Sequence, residues 1–190
     1  AKHGIDSSNL YGSSDAGNGG FLGEKSSDKI LDIAFSHPIK IIVNALGVPP
    51  LRMLELAKAN NVACGALVGN RQQAIKQVES GVDIIISSGT EAGGHCGEIS
   101  TMVLVPEVVQ ALQGFEDVSI LAAGGIVTGR QMAAAMAMGA DGVWTGSVWL
   151  TTEEADTSPS IKNKLLTTGS NQTVRTRSRT GKFSRQIKSP

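Results

Sequence analysis

The sequence predicts an α/β fold built on a parallel sheet, and three observations predict it. Five short apolar runs, "IKIIVNA", "VACGALVG", "VDIIISSG", "VSILAAGG" and "DGVWTGS", recur between residues 39 and 147, each ending in small residues or glycine. They are near-continuous in Val, Ile, Leu and Ala rather than alternating, as strands buried on both faces are. Segments with helical spacing separate them, so a βα unit of roughly 20–36 residues repeats from one strand start to the next.

The elements follow in order. The opening "AKHGIDSSNLYGSSDAGNGGFLGEKSSDK" is rich in Ser, Gly and Asp and has no sustained apolar period, which predicts a flexible Gly/Ser-rich segment over residues 1–38. "GNGGFLG" inside it resembles a phosphate loop but fails the GxGxxG spacing, because Leu22 stands where the last glycine belongs and no strand precedes it. After the first strand, "PPLRMLELAKANN" places Leu51, Leu54 and Ala57 on one helical face. "NRQQAIKQVESG" does the same with Ala74, Ile75 and Val78 and ends at Gly81, a fit to the C′ position. "VPEVVQALQG" predicts a helix with Pro106 at its first position, closing near Gly114. "TGRQMAAAMAMG" predicts one capped by Thr128 and stopped at Gly139. Residues 39–150 thus form the α/β part, and 151–190 a short helix ("SPSIKNKLLTTG") followed by a basic tail.

Five units are too few for a complete (β/α)8 barrel, which typically takes about 250 residues. Either the sheet is an open, doubly wound one or it is part of a barrel. Lys+Arg and Asp+Glu balance at 17 each, so the chain as a whole offers no electrostatic case for nucleic acid or an anionic membrane. In the tail, Arg175, Arg177, Arg179, Lys182, Arg185 and Lys188 meet no acid. Zero net charge and the single aromatic Phe183 favour a solvated tail, or contacts to the protein's own loops or cofactor, over a nucleic-acid patch. No apolar run is long enough to span a bilayer and no signal-peptide pattern opens the chain. Cys64 and Cys96 form no CxxC pair, and reduced thiols in the cytoplasm are expected.

Three glycine-rich sites sit directly after the last three strands, where ligands bind in parallel sheets: "SSGTEAGGHCG", "AAGGIVTGR" and "TGSVWL". In the last two, Gly124-Gly125 and Gly146-Ser147 suit a phosphate. Backbone N–H groups without a neighbouring Cβ can approach its oxygens, and the Ser147 hydroxyl adds a donor. In the first, His95 projects from a glycine loop at a strand end, and an imidazole can take a proton near neutral pH. His3 and His37 are remote in sequence, so no metal site is predicted. Glu91 and Glu98 flank His95 without forming a paired acid/base site, and no GxSxG elbow is present.

Together, "GTEAGGHCGEISTMVLVPEVV", "ILAAGGIVTGRQMAAAMAMGADGVWTGSVWL" and "EEADTSP" resemble the nitronate monooxygenases, from about Ile39 to the end and including "VNALGVPP" and "RTRSRTGK". The resemblance implies an FMN-dependent (β/α)8 barrel that oxidises alkyl nitronates with O₂ to a carbonyl compound and nitrite. It implies that His95 is the catalytic proton acceptor beside the flavin and that Gly93 and Gly94 lie against the isoalloxazine edge. Gly124, Gly125, Gly146 and Ser147 would be the FMN-phosphate loops; Ser147 stands where the family often has Thr, and the hydroxyl survives. The family's first three βα units, with their flavin-contacting loop, have no counterpart, so the chain is expected to supply strands four to eight of a partial barrel and to be a fragment or to need a partner. A flavin-dependent enoyl-acyl carrier protein reductase, which shares the AGGH loop, and a non-catalytic FMN- or phosphate-binding remnant are the alternative readings.

Overall fold

The computed structural model describes residues 24–178 and 180–188, with the side chains of 24–27 excepted. "GNGGFLG" and the rest of residues 1–23 lie outside the described residues. Two compact units are distinguished, divided between Lys40 and Ile41.

The first unit contains helix α1 (Glu24–Phe35), which corrects the expectation of a loop as far as residue 38. Apolar residues begin only at Ile30, so too few turns carry the helical period for it to register, and the preceding Ser-Ser-Asp reads as loop chemistry. The helix ends where the Ser36 N–H closes on the Asp32 carbonyl (3.1 Å), two residues ahead of Pro38.

In the second unit the five predicted apolar runs form strands β1 (Ile41–Asn44), β2 (Ala63–Val68), β3 (Ile84–Ser88), β5 (Ser119–Ala123) and β6 (Gly142–Trp144), all parallel. Their spatial order β1-β2-β3-β5-β6 follows the sequence without reversal. An open doubly wound sheet reverses its strand order at a switch point, whereas a barrel does not. The unit is five consecutive staves of a (β/α)8-type barrel.

Helices α2 (Leu51–Ala59), α3 (Arg71–Glu79), α4 (Thr101–Ala111) and α5 (Gly129–Ala137) connect the staves. Ala66, Val68, Ile85 and Ile120 on the sheet pack with Ala74, Leu104 and Val108 of the helices to form the main core. Ala122, Ala135 and Ala140 continue it under α5, where small residues let helix and sheet approach closely. On the other face of the sheet a Cβ at Gly65 would touch Val43 and Ile84, its neighbours across the strands. At the flanking strands of that face, Ile41 and Trp144 are 48% and 38% exposed.

A sequence device recurs at the strand entries. Gly81 and Gly139 end α3 and α5 with positive φ (+92° and +100°), and an Asp follows each two residues later. The carboxylates of Asp83 and Asp141 accept hydrogen bonds from the N–H of Cys64 (2.8 Å) and Ile120 (2.7 Å), the neighbouring strands. Burial, reinforced by the Asp83 carboxylate, pushes the Cys64 thiol up to about 11, so it is a packing residue rather than a reactive one.

Helix α4 corrects a second expectation. It begins at Thr101, so Pro106 lies inside it rather than at its first position. The ring denies the Met102 carbonyl its usual partner, and Met102 is well exposed to solvent, where water can replace that bond. Helix α6 (Pro159–Thr167) matches the predicted short helix and carries Pro159 in its first turn. The segment beyond it is no loose basic tail: β7 (Thr173–Thr176) and β8 (Ser184–Ile187) form an antiparallel hairpin, which pairs through β8 with the short strand β4 (Gly94–His95). Among the described residues no helix is long and apolar enough to cross a membrane.

Candidate functional site

The site is built on the C-terminal ends of β3, β5 and β6. After Ser88 the chain turns back under the N-terminus of α4, so closely that a Cβ at Gly89 would lie 2.7 Å from the Thr101 Cα. Ser100 makes no side-chain cap. Glu91 does that work instead: its carboxylate accepts from the Thr101 N–H (2.9 Å), the Thr101 hydroxyl (2.8 Å) and the Thr90 hydroxyl (3.1 Å). Burial, the largest single influence on Glu91, opposes ionisation. The two Thr101 hydrogen bonds, with help from Glu91's own N–H and Thr90, together outweigh it and hold the carboxyl below the usual range. Because the folded-state value is lowered, this stabilisation is complete above the ordinary carboxyl range and is lost as pH falls through the lowered value. Glu91→Gln is therefore expected to melt below the wild type at neutral pH, with the difference in Tm shrinking in acid; an unchanged difference across that range would contradict the cap.

The C-terminal hairpin grips the same loop. β8 pairs Arg185 with Gly94 and Ser184 with His95, and the Cys96 N–H donates to the Phe183 carbonyl (3.1 Å). Arg175 donates to the Gly97 carbonyl (2.8 Å), Arg185 Nε to the Thr90 carbonyl (3.0 Å), and Arg177 pairs with Glu98 (3.0 Å). The guanidinium groups of Arg175 and Arg177 stack over Phe183 at 3.6 and 4.1 Å from the ring centroid. Of the alternatives open for the basic residues, contact with the protein's own loops is what these three arginines make.

His95 is exposed, and its Nε2 lies 2.8 Å from the Thr180 hydroxyl on the turn of that hairpin. Neither flanking acid bonds the ring: Glu91 caps α4 and Glu98 pairs with Arg177. Among the described residues no cluster of three metal-ligating side chains occurs.

The two predicted phosphate loops converge on the same place. Gly124 and Gly125 both have positive φ (+112° and +69°), and Gln131 of the α5 capping box reaches back to the Gly125 carbonyl (2.7 Å). Gly146 leads into a 3-10 turn, Ser147–Thr151. Gly93 packs on the Ser147 side chain so closely that a Cβ there would collide with its hydroxyl. All seven residues singled out from the sequence line one cavity of about 460 Å³. A second cavity, of about 940 Å³, opens over the ends of β1 and β2, and the two share Leu67, Ser88, Gly93 and His95. Both fall in the size range of small-molecule sites.

Sequence reasoning missed Thr173 and Thr180, of which Thr173 lines the smaller cavity beside Arg185, named above only among the basic residues of the tail. The available signal was the alternation of "TVRT" and "SRQI" around a glycine-containing turn, a hairpin pattern concealed by its charge.

Consecutive barrel staves with ligand loops gathered at their C-terminal ends define a barrel-type enzyme scaffold. The chain belongs to the nitronate monooxygenase family, whose model matches residues 15–189. That span begins well before Ile39, where the resemblance was expected to start, so α1 lies within the family's own segment. A Mycobacterium tuberculosis protein carrying the name monooxygenase Rv1533 is 52% identical over 93% of this chain, and a Staphylococcus saprophyticus protein named as a nitronate monooxygenase is 30% identical over 83%. The chain spans about half the length of these relatives, 46% of each. Among solved structures, FabK from Thermotoga maritima superposes with TM-score 0.76 at 30% identity, over 86% of this chain and 51% of that one. The nitroalkane oxidase from Streptomyces ansochromogenes superposes with TM-score 0.76 at 27% identity, over 87% and 50%.

Proposed function

We propose that the smaller cavity holds FMN, that its phosphate sits at the Gly124-Gly125 and Gly146-Ser147 loops, and that His95 accepts the proton of a nitroalkane or receives its nitronate for oxidation by O₂. The observation that carries this reading is the convergence of all seven residues on one cavity that meets a second cavity at His95. The residues fit the group. A Cβ on Gly94 or Gly146 would meet no protein atom within 4 Å, so both glycines leave open the space a ligand would fill rather than space the protein fills. A bound flavin would supply the electron acceptor and the route of electrons to O₂; the protein supplies position and proton transfer. In that division Ser147 donates to a phosphate oxygen, Gly94 lets the ring approach the backbone beside Gly93, which makes room for Ser147, and His95 holds the proton at its imidazole while substrate occupies the larger cavity. The product pair is a carbonyl compound and nitrite. The arginines spent on the protein's own loop support an enzyme of small molecules, which we place in the cytoplasm, rather than a nucleic-acid binder.

A second reading, a flavin-dependent enoyl reductase, rests on the AGGH loop that carries His95, which that class was noted above to share. Oxygen uptake on alkyl nitronates, run beside NAD(P)H oxidation on an enoyl thioester, separates the two. Nitronate-dependent uptake without NAD(P)H supports the oxidase reading; NAD(P)H-dependent reduction alone overturns it. FMN binding with neither activity would indicate a remnant.

A further inference from the structure

We infer that Thr180 is a positioning residue for His95: its hydroxyl accepts a hydrogen bond from Nε2–H and leaves Nδ1 as the nitrogen that accepts the substrate's proton. The inference rests on the reading of His95 as a proton acceptor. A neutral imidazole has one N–H and one lone pair, and which nitrogen carries the proton is set by the partner of the other. Thr180 Oγ1, 2.8 Å from Nε2, is the one polar partner of the ring among the described residues. Were the hydroxyl the donor, it would occupy the ring's single lone pair and the base would be spent on the protein. With Nε2–H donating instead, the lone pair at Nδ1 is left for the substrate.

Both ends of this contact are fixed by the same three-stranded sheet. His95 is paired through its backbone to Ser184, which is buried, while Thr176 pairs with Ser184 to close the turn that carries Thr180. Within the turn the Gly181 N–H donates to the Arg177 carbonyl (2.9 Å), with Gly181 at φ +76°, and Arg177 is tied in turn to Glu98 and Phe183. A base is commonly oriented by a third group, and a carboxylate is the usual choice. Here Glu91 and Glu98 are engaged elsewhere, so a neutral hydroxyl orients the ring without adding a negative charge beside it.

The test is ¹⁵N NMR of the histidine rings in the full chain, with His95 assigned by the disappearance of its signals in His95→Asn. At a pH where the ring is neutral, wild type is expected as the Nε2–H tautomer. Thr180→Val should relax from a single fixed tautomer to the mixture of a free imidazole, in which Nε2–H is the larger fraction and Nδ1–H becomes detectable, while Thr180→Ser, which keeps the hydroxyl, should restore the single tautomer. An Nδ1–H tautomer in the wild type, or an unchanged tautomer in Thr180→Val, would overturn the assignment. Retention of the remaining spectrum in Thr180→Val guards against a folding artefact. The tautomer is read without flavin or turnover, so its outcome stays separate from that of the oxygen-uptake assay.

Discussion

His95→Asn is expected to leave FMN affinity nearly unchanged while lowering turnover of neutral nitroalkanes about 10²–10⁴-fold, the usual worth of a positioned general base. The substitution is mild structurally. His95 is held in β4 by backbone pairing to Ser184, which asparagine also makes, and the ring is exposed, so no core contact is removed. An asparagine amide can bond the Thr180 hydroxyl but cannot take a proton. The loss should therefore appear in the chemical step rather than in flavin binding, which the proposed reading assigns to Gly124, Gly125, Gly146 and Ser147. Substrates supplied as preformed nitronates should be affected less than neutral nitroalkanes, because only the latter need deprotonation. Oxygen-uptake rates for both forms, beside a flavin-fluorescence titration, check this; equal turnover in mutant and wild type on the neutral nitroalkane would remove His95 from the chemistry.

Gly124→Ala carries the second large expectation: loss of stability by about 2–4 kcal/mol together with loss of FMN binding. Gly124 has φ +112°, a region that L-residues rarely enter, and its Cβ would lie 2.8 Å from Thr101 Oγ1 and 3.1 Å from the Ala92 N. Thr101 cannot yield, since it is buried and its hydroxyl is committed to Glu91. The strain would thus pass into both the GTEAGGH loop and the α4 cap. Gly146→Ala is the informative contrast. Gly146 has φ −124° and open space around its missing Cβ, so stability should be nearly unchanged while FMN binding weakens. Denaturant unfolding and flavin titration of the two variants distinguish a fold glycine from a ligand glycine.

The strands and most helices were legible because they obey local rules. Val/Ile runs such as "DIIISS" have few alternatives to a buried strand, and Thr128 with Gln131 makes the predicted cap physically. Glycines after strands pointed to the site because positive φ and close approach leave a compositional trace. The rest depended on distance. In sequence Glu91 is a flanking acid, yet its partner Thr101 comes from the start of a helix whose sequence signal begins at Pro106. Thr180 sits 85 residues from His95 in sequence, and only the pairing of β8 with β4 brings them together. α1 has no legible helical period because its apolar residues fill only its last two turns. Local chemistry thus marks the glycine loops that line the candidate site, while the clamp behind them depends on the hairpin's pairing with β4.

Binding of FMN compared with riboflavin by this chain tests the central claim most directly, because the two differ only in the phosphate that Gly124-Gly125 and Gly146-Ser147 are held to grip. The account predicts saturable FMN binding that exceeds riboflavin binding by at least tenfold and that Gly146→Ala selectively weakens. Equal affinity for the two, or no binding of FMN, would contradict it.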